Sequence, residues 1–407
     1  MGPSKIEKQR VFAMSGQFQL LKTDDGIHDL KTVINAEAIS VGTSSDWSVR
    51  MQRMHGGLSE GVDVIWLDNG CSKLAILPTR GMGIWKADVA GLPLQWKSPV
   101  QRPVNPAFID ANRRGGIGWL DGFNELLCRC GMGWNGAPGT DTIKDADGNV
   151  VFEQFLPVHG QVANLPAHDV SVEVTDDGRI TVTGIVDEAS VFGGHLRLTS
   201  KLTTWIDSNS FEIEDTVQNL ASSKAEVEML YHCNVGRPFL EGDSKVHIAA
   251  TEVAPRDARA VEGLTDWETY LEPEVGYAEQ VYFSKAIADT AGRSLAVLQN
   301  SAADKAVSLR FDTNTLPYLV VWKNTQAEAD GYCTGLEPAT GFPNLRSVER
   351  EYGRVLNLDS EECVTFQFAL SVAATTEETA ALVSEVRQLQ NTQPRNTHPQ
   401  PKVEWGG

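Results

Sequence analysis

Long apolar runs are missing from this 407-residue sequence. None approaches the roughly 18 residues needed to cross a bilayer, and the opening residues lead into no apolar core of signal-peptide length. Basic residues are also scarce, 35 against 54 acidic ones, for a formal charge of −19. A field of that sign repels phosphate backbones and anionic lipid, so the partners expected exclude nucleic acid and membrane. Six cysteines, at 71, 128, 130, 233, 333 and 363, include no Cys-x-x-Cys and no dense spacing. That excludes a disulfide framework and predicts reduced thiols in a cytoplasmic protein. No His-x-His or His-x₃-His pair occurs, so no metal site is expected. Neither a linker nor a fixed-period repeat interrupts the chain.

What is present is a β pattern. Val170, Val172 and Val174 alternate with polar residues, Asp177-Gly178 supplies a hairpin turn, and Ile180, Val182 and Val186 alternate on the return. Leu196, Leu198, Leu202, then Phe211, Ile213, Val217, then Val227, Met229, Tyr231 keep the period of two. Further strands are predicted at 17–21, 38–41, 62–67, 73–77, 79–85, 295–298, 306–311, 318–322 and 364–372. Strands follow strands without helical patterns between them, which predicts an all-β antiparallel sandwich or barrel. Thr375 with Glu378 reads as a capping box, and Ala381, Leu382, Val386 and Leu389 recur at helical spacing. The economical division is one β domain over 1–390, with lead-in strands in 1–50. A tail follows over 391–407, either docked through Trp405 or, as its composition favours, flexible.

Segment 331–344 is the most pointed. Tyr332 to Leu336 reads as a short strand ending in a carboxylate, Glu337, with Pro338 expected to stop it. Such a carboxylate at a strand end is either a catalytic base or an ordinary surface glutamate. Gly131–Gly136 matches the dinucleotide pattern G-x-G-x-x-G, but Ala-Pro-Gly-Thr follows it where a helix must begin, so the match is rejected. The stretch 113–139 holds eight glycines with Trp119, Asn124, Arg129 and Trp134. It reads equally as a ligand loop, whose tryptophans suit the faces of a sugar ring, and as a long structural loop. His159 and His232 lie at strand-to-loop junctions, and His55 precedes two glycines. Histidine trades protons near neutrality, though a lone strand histidine is more often structural.

Thr79-Arg-Gly-Met-Gly-Ile84, Leu156-Pro-Val-His-Gly160, Leu230-Tyr-His-Cys-Asn-Val-Gly-Arg-Pro238, Pro317-Tyr-Leu-Val-Val-Trp-Lys323 and Gly335-Leu-Glu-Pro338 occur in this order across about residues 60–372. In order and spacing they resemble the galactose mutarotase-like superfamily, and within it the divergent aldose 1-epimerase-like branch catalogued as a domain of unknown function. The resemblance implies a large antiparallel β-supersandwich with a short C-terminal helix and a sugar cleft. It implies His232 as general acid, Glu337 as general base and His159 in support, with no cofactor and a small-molecule carbohydrate as partner. Arg80, Arg129, Asn124, Asn234, Trp322 and Lys323 are the candidate substrate contacts, the three cations hinting at an acidic or phosphorylated sugar. The chain departs from the family in lacking its Asn-Arg-Ile segment and in reading Tyr231-His-Cys-Asn-Val235 around the second histidine. A non-catalytic carbohydrate-binding protein and a lyase or glycosidase on the same fold stand as alternatives. A monomer and a homodimer are both compatible with the sequence.

Overall fold

The computed structural model describes residues 16–39 and 46–406. Where alternation is clean, strands form with their apolar residues inward. Asp169–Val174 pairs antiparallel with Arg179–Ser190, Val174 against Ile180, and Gly178 takes the left-handed conformation (φ 81°) in the turn between them. The expected piece at 38–41 is not a strand as far as it is described. Ala38 and Ile39 lie in the turn after Val33–Asn35, and residues 40 and 41 fall outside the described residues.

Two large sheets result, one of ten strands and one of fourteen. The ten-stranded sheet is antiparallel throughout and includes Gly194–Trp205, Ser210–Asn219 and Cys363–Ala373. Five strands of the other sheet carry the site: β1 (Leu127–Met132), β2 (Ala225–Val235), β3 (Gln280–Ala286), β4 (Tyr318–Asn324) and β5 (Cys333–Ala339). Their spatial order is β3-β4-β5-β2-β1.

Because successive strand side chains point to opposite faces, each of these strands has two environments. Met229, Tyr231, Cys233, Val321 and Leu336 pack with Val172, Leu198 and Phe368 of the other sheet, forming the sandwich core. Cys128, Cys130, Leu230, Val281, Phe283, Val320 and Ala339 face away from it, under loops carrying Trp119, Phe123 and Phe342. At about 25 cal/mol per Å² of apolar surface, the core supplies the main drive for folding. The outer face is the one left for function.

The one long helix among the described residues, α1 (Thr376–Gln390), is capped as its sequence predicts. Thr375 Oγ1 accepts from the Glu378 amide at 3.2 Å, and Glu378 Oε2 accepts from the Ala374 amide. Composition favours a free tail after it; the structure seats the tail instead. Asn396–Thr397 adds a parallel strand to Ala250–Pro255, Arg395 pairs with Glu268, and Trp405 is 6% exposed. Burial of one indole and several charge-assisted bonds outweigh the polar composition there.

Candidate active site

Register brings the first two candidates together. Leu230 pairs with Ala339 and Cys233 with Leu336, which sets His232 opposite Glu337 on the outer face. Their side chains meet, with Nε2 3.1 Å from Oε1. Both are almost wholly buried, at 5% and 2% exposure. The strand does not stop at Pro338 as expected; it runs on to Ala339, with Pro338 against Leu319. Proline's fixed φ is compatible with extended backbone, so one lost donor does not end the pairing.

Asn234 shares the face of His232 two residues on. Its Oδ1 accepts from His232 Nδ1 at 2.6 Å, and its Nδ2 donates to the Glu125 carbonyl. With Nδ1 donating, neutral His232 offers the Nε2 lone pair to Glu337. Glu337 Oε1, buried and without a hydrogen-bond partner among the described residues, stands beside that lone pair.

His159 comes from a loop. It holds a left-handed backbone (φ 62°), which for a residue with a side chain costs about 1–3 kcal/mol and must be over-determined by its surroundings. Its amide donates to the Gly136 carbonyl, its Nδ1 donates to the Asn135 carbonyl at 2.8 Å, and its carbonyl accepts from Gly131. A Cβ on Gly160 would meet the Gly131 carbonyl oxygen at 2.2 Å, so only glycine lets the loop come this close to β1. The imidazole stands 5.7 Å from that of His232, centroid to centroid, edge-on to Trp119 at 4.9 Å. Phe123 and Trp322 flank His232 at 5.0 and 5.3 Å.

Burial and neighbouring charges drive these groups apart in basicity. Burial pulls the His232 imidazole down, and the charge on His159 adds to it, to about 3. Burial acts on His159 in the same sense, but the Cys130 sulfur beside it and the Asn135 carbonyl outweigh it and push the ring up to about 9. Burial also pushes the Glu337 carboxyl well above its usual range, against the pull of charged His159. Against its burial, Cys128 and His159 draw the Cys130 thiol down to about 6. The site thus holds an imidazolium beside a thiolate, one neutral imidazole and a carboxyl group reluctant to ionise. Such a set is suited to proton transfer at neutral pH.

The remaining candidates divide by strand face. Trp322 forms a wall, its Nε1 donating to Glu279 at 2.6 Å. Asn124 is buried in the loop beside Phe123, donating to the Val100 carbonyl, with its own Oδ1 unpartnered among the described residues. Arg129 is not brought to the site. It sits between Cys128 and Cys130 and so points into the core, where it binds Asp215, Ser200 and the Gly81 and Met82 carbonyls. Lys323 follows Trp322 and turns inward likewise, donating to the Trp267 and Thr269 carbonyls under Tyr270. Arg80 is 1% exposed, paired with Glu125 at 2.5 Å and bonded to the Val104 and Gly122 carbonyls. Glu125 is the residue whose carbonyl anchors Asn234, so Arg80 supports the site from behind. His55 lies at the surface against Glu60.

Sequence reasoning missed Cys128, Cys130, Phe123 and Glu279. The cysteines were legible as site-facing residues once His232 was, since β2 pairs Leu230 with Cys130 and His232 with Cys128. The 113–139 stretch hides that central strand behind its glycines. Among the described residues, no group of three or more His, Cys, Asp or Glu side chains is placed to hold a metal ion.

The two-sheet architecture is that of the galactose mutarotase-like fold. A protein of Klebsiella pneumoniae provisionally named an aldose 1-epimerase superposes with a TM-score of 0.88 at 31% identity, covering 95% of this chain and 99% of its own. A galactose mutarotase-like protein from Clostridium acetobutylicum (TM-score 0.54, 15% identity, 80% of this chain, 99% of its own) shares the fold. So does a galactose 1-epimerase from Lactobacillus acidophilus (0.53, 12%, 80% and 99%). No curated protein matches. Residues 59–372 match the family described as a domain of unknown function, DUF4432, and the chain belongs to that family. It is a divergent member of the galactose mutarotase-like superfamily.

Proposed function

We propose that the protein is an aldose 1-epimerase-like isomerase, interconverting the anomers of a sugar without a cofactor. The observation that carries this reading is the 3.1 Å contact between His232 and Glu337. Ring opening removes a proton from the hydroxyl on C1 and delivers one to the ring oxygen bonded to that same carbon. Acid and base must therefore stand side by side, as this imidazole and carboxyl group do. In the state with a proton moved from Glu337 to His232 Nε2, Glu337 as carboxylate takes the hydroxyl proton while the His232 imidazolium delivers its Nε2 proton to the ring oxygen. The open aldehyde turns about C1–C2 and closes from its other face with the roles exchanged. Charged His159 stabilises negative charge developing at C1 oxygen, and Trp322 and Phe123 offer apolar surface to the sugar ring.

Arg80, Arg129 and Lys323 are engaged elsewhere, so the case for an acidic or phosphorylated sugar loses its residues. A glycosidase would need a second free carboxylate; Glu279 is tied to Trp322 and Arg256. The test is NMR of freshly dissolved single-anomer sugars with and without protein. Faster equilibration of one sugar, abolished in Glu337→Gln, supports the reading. Ligand shifts without acceleration would replace it with a sugar-binding protein.

A further inference from the structure

The tail reaches the site through an unbroken series of contacts. Trp405 lies on the Phe342 ring at 4.8 Å, and Phe342 in turn stacks on Phe283 at 4.5 Å. The Trp405 carbonyl accepts from Asn344 Nδ2 at 2.9 Å, and the Glu404 carbonyl accepts from Arg354 at 2.6 Å. Both tail contacts converge on Glu349, which is fully buried and forked onto Arg354. Glu349 also accepts from Asn344 Nδ2 and from the Phe342 amide. Segment 342–344, which follows Glu337 out of β5, is thus fixed from outside by the tail.

On its inner side the same segment touches the loop that holds His159. The Asn344 carbonyl lies so close to Gly136 that a Cβ there would stand 1.7 Å from it, and the Ala137 amide donates to Pro343. The Gly136 carbonyl accepts from the His159 amide, and the neighbouring Asn135 carbonyl accepts from its ring. A single peptide group, Asn135–Gly136, thus separates the Asn344 contact from the atom that orients the imidazole. His159 holds a left-handed backbone that its surroundings must enforce.

We infer that Trp405 is a positioning residue for the site, its docking on Phe342 and Asn344 fixing the Asn135–Gly136 backbone that aims His159. The inference takes the role of His159 from the proposed function, but its first test needs no substrate. In ring-detected NMR, Trp405→Ala should displace the His159 resonances and shift its titration, leaving His195 on the ten-stranded sheet unmoved. Trp405→Phe, which keeps an aromatic face, should restore them. Val383→Ala, which lowers stability from α1, serves as the control for a merely structural effect. With an accepted sugar, W405A should lower kcat about 10-fold while KM stays within about 2-fold, since small misplacements cost turnover more than binding. His159 signals unchanged in W405A, or displaced equally in V383A, would overturn the inference. If W405A does not fold, Asn344→Ala cuts the same series one step nearer the site and is read in the same way.

Discussion

The Oδ1 of Asn234 accepts from Nδ1 of His232 at 2.6 Å, and so decides which face of that imidazole meets Glu337. Without it the ring can turn over or take the other tautomer. We expect Asn234→Ala to lower kcat by about 10- to 100-fold with little change in KM, as for other groups that orient a reacting imidazole. Asn234→Asp should instead raise the basicity of His232, because a carboxylate beside it favours the imidazolium. Nitrogen-15 spectra of the ring, read for tautomer and charge, check both.

Removing either member of the central pair should stop turnover and spare the fold. Glu337→Gln and His232→Asn are each expected to reduce kcat by about 10²- to 10⁴-fold, the usual weight of a positioned acid or base. Sugar affinity, followed by titration calorimetry, should change far less. A variant with wild-type turnover would remove that residue from the mechanism.

The pH profile should be displaced upward from that of ordinary carboxylate chemistry. The acid limb belongs to the Glu337–His232 pair and, with Glu337 pushed up, lies above the usual carboxylate range. The alkaline limb is set by His159, which sheds its proton at about 9; His159→Asn should abolish it. Stability moves too, in opposite senses. A raised His159 stabilises the fold fully below its unfolded value of about 6.5, and that contribution is lost as pH climbs through about 9. Neutral His232 does the reverse, its contribution falling away as pH drops from about 6.5 towards 3. Urea midpoints of H159N and H232N across this range give both signs.

Arg129 should matter to the fold and not to the ligand. Arg129→Ala leaves Asp215 buried and uncompensated, a loss of about 3–5 kcal/mol. Denaturant unfolding should show it, while KM for any accepted sugar is unchanged.

The same residue shows where sequence reading reaches its limit. The period of two made the strands legible, and His159, His232 and Glu337 stood out by residue type and junction. Which face a cation occupies, however, depends on strand parity within a known frame. Arg129 alternates with two cysteines and Lys323 follows Trp322, so one frame assignment per strand would have turned both inward. β1 itself was concealed because glycine-rich sequence reads as loop. Arg80 carries no periodic signal at all, being held by carbonyls from distant loops. The seating of the tail depends on Arg354 and Asn344, whose partners Glu404 and Trp405 lie 50 and 61 residues downstream and leave no local mark.

The long-range register of β2 and β5 has a temporal consequence. His159, His232 and Glu337 are spread across the chain, and the Trp405 segment lies beyond all three. Non-local pairing of this kind is slow to form, because loop closure must precede any stabilising contact. On the ribosome, a nascent chain that has exposed both histidines still lacks the strand that faces them. Until that strand emerges, the outer edge of β2 is bare and open to pairing with other chains. His159, His232 and Glu337 can thus meet only once the strand bearing Glu337 has been made, and vulnerability to misassembly is greatest just before it.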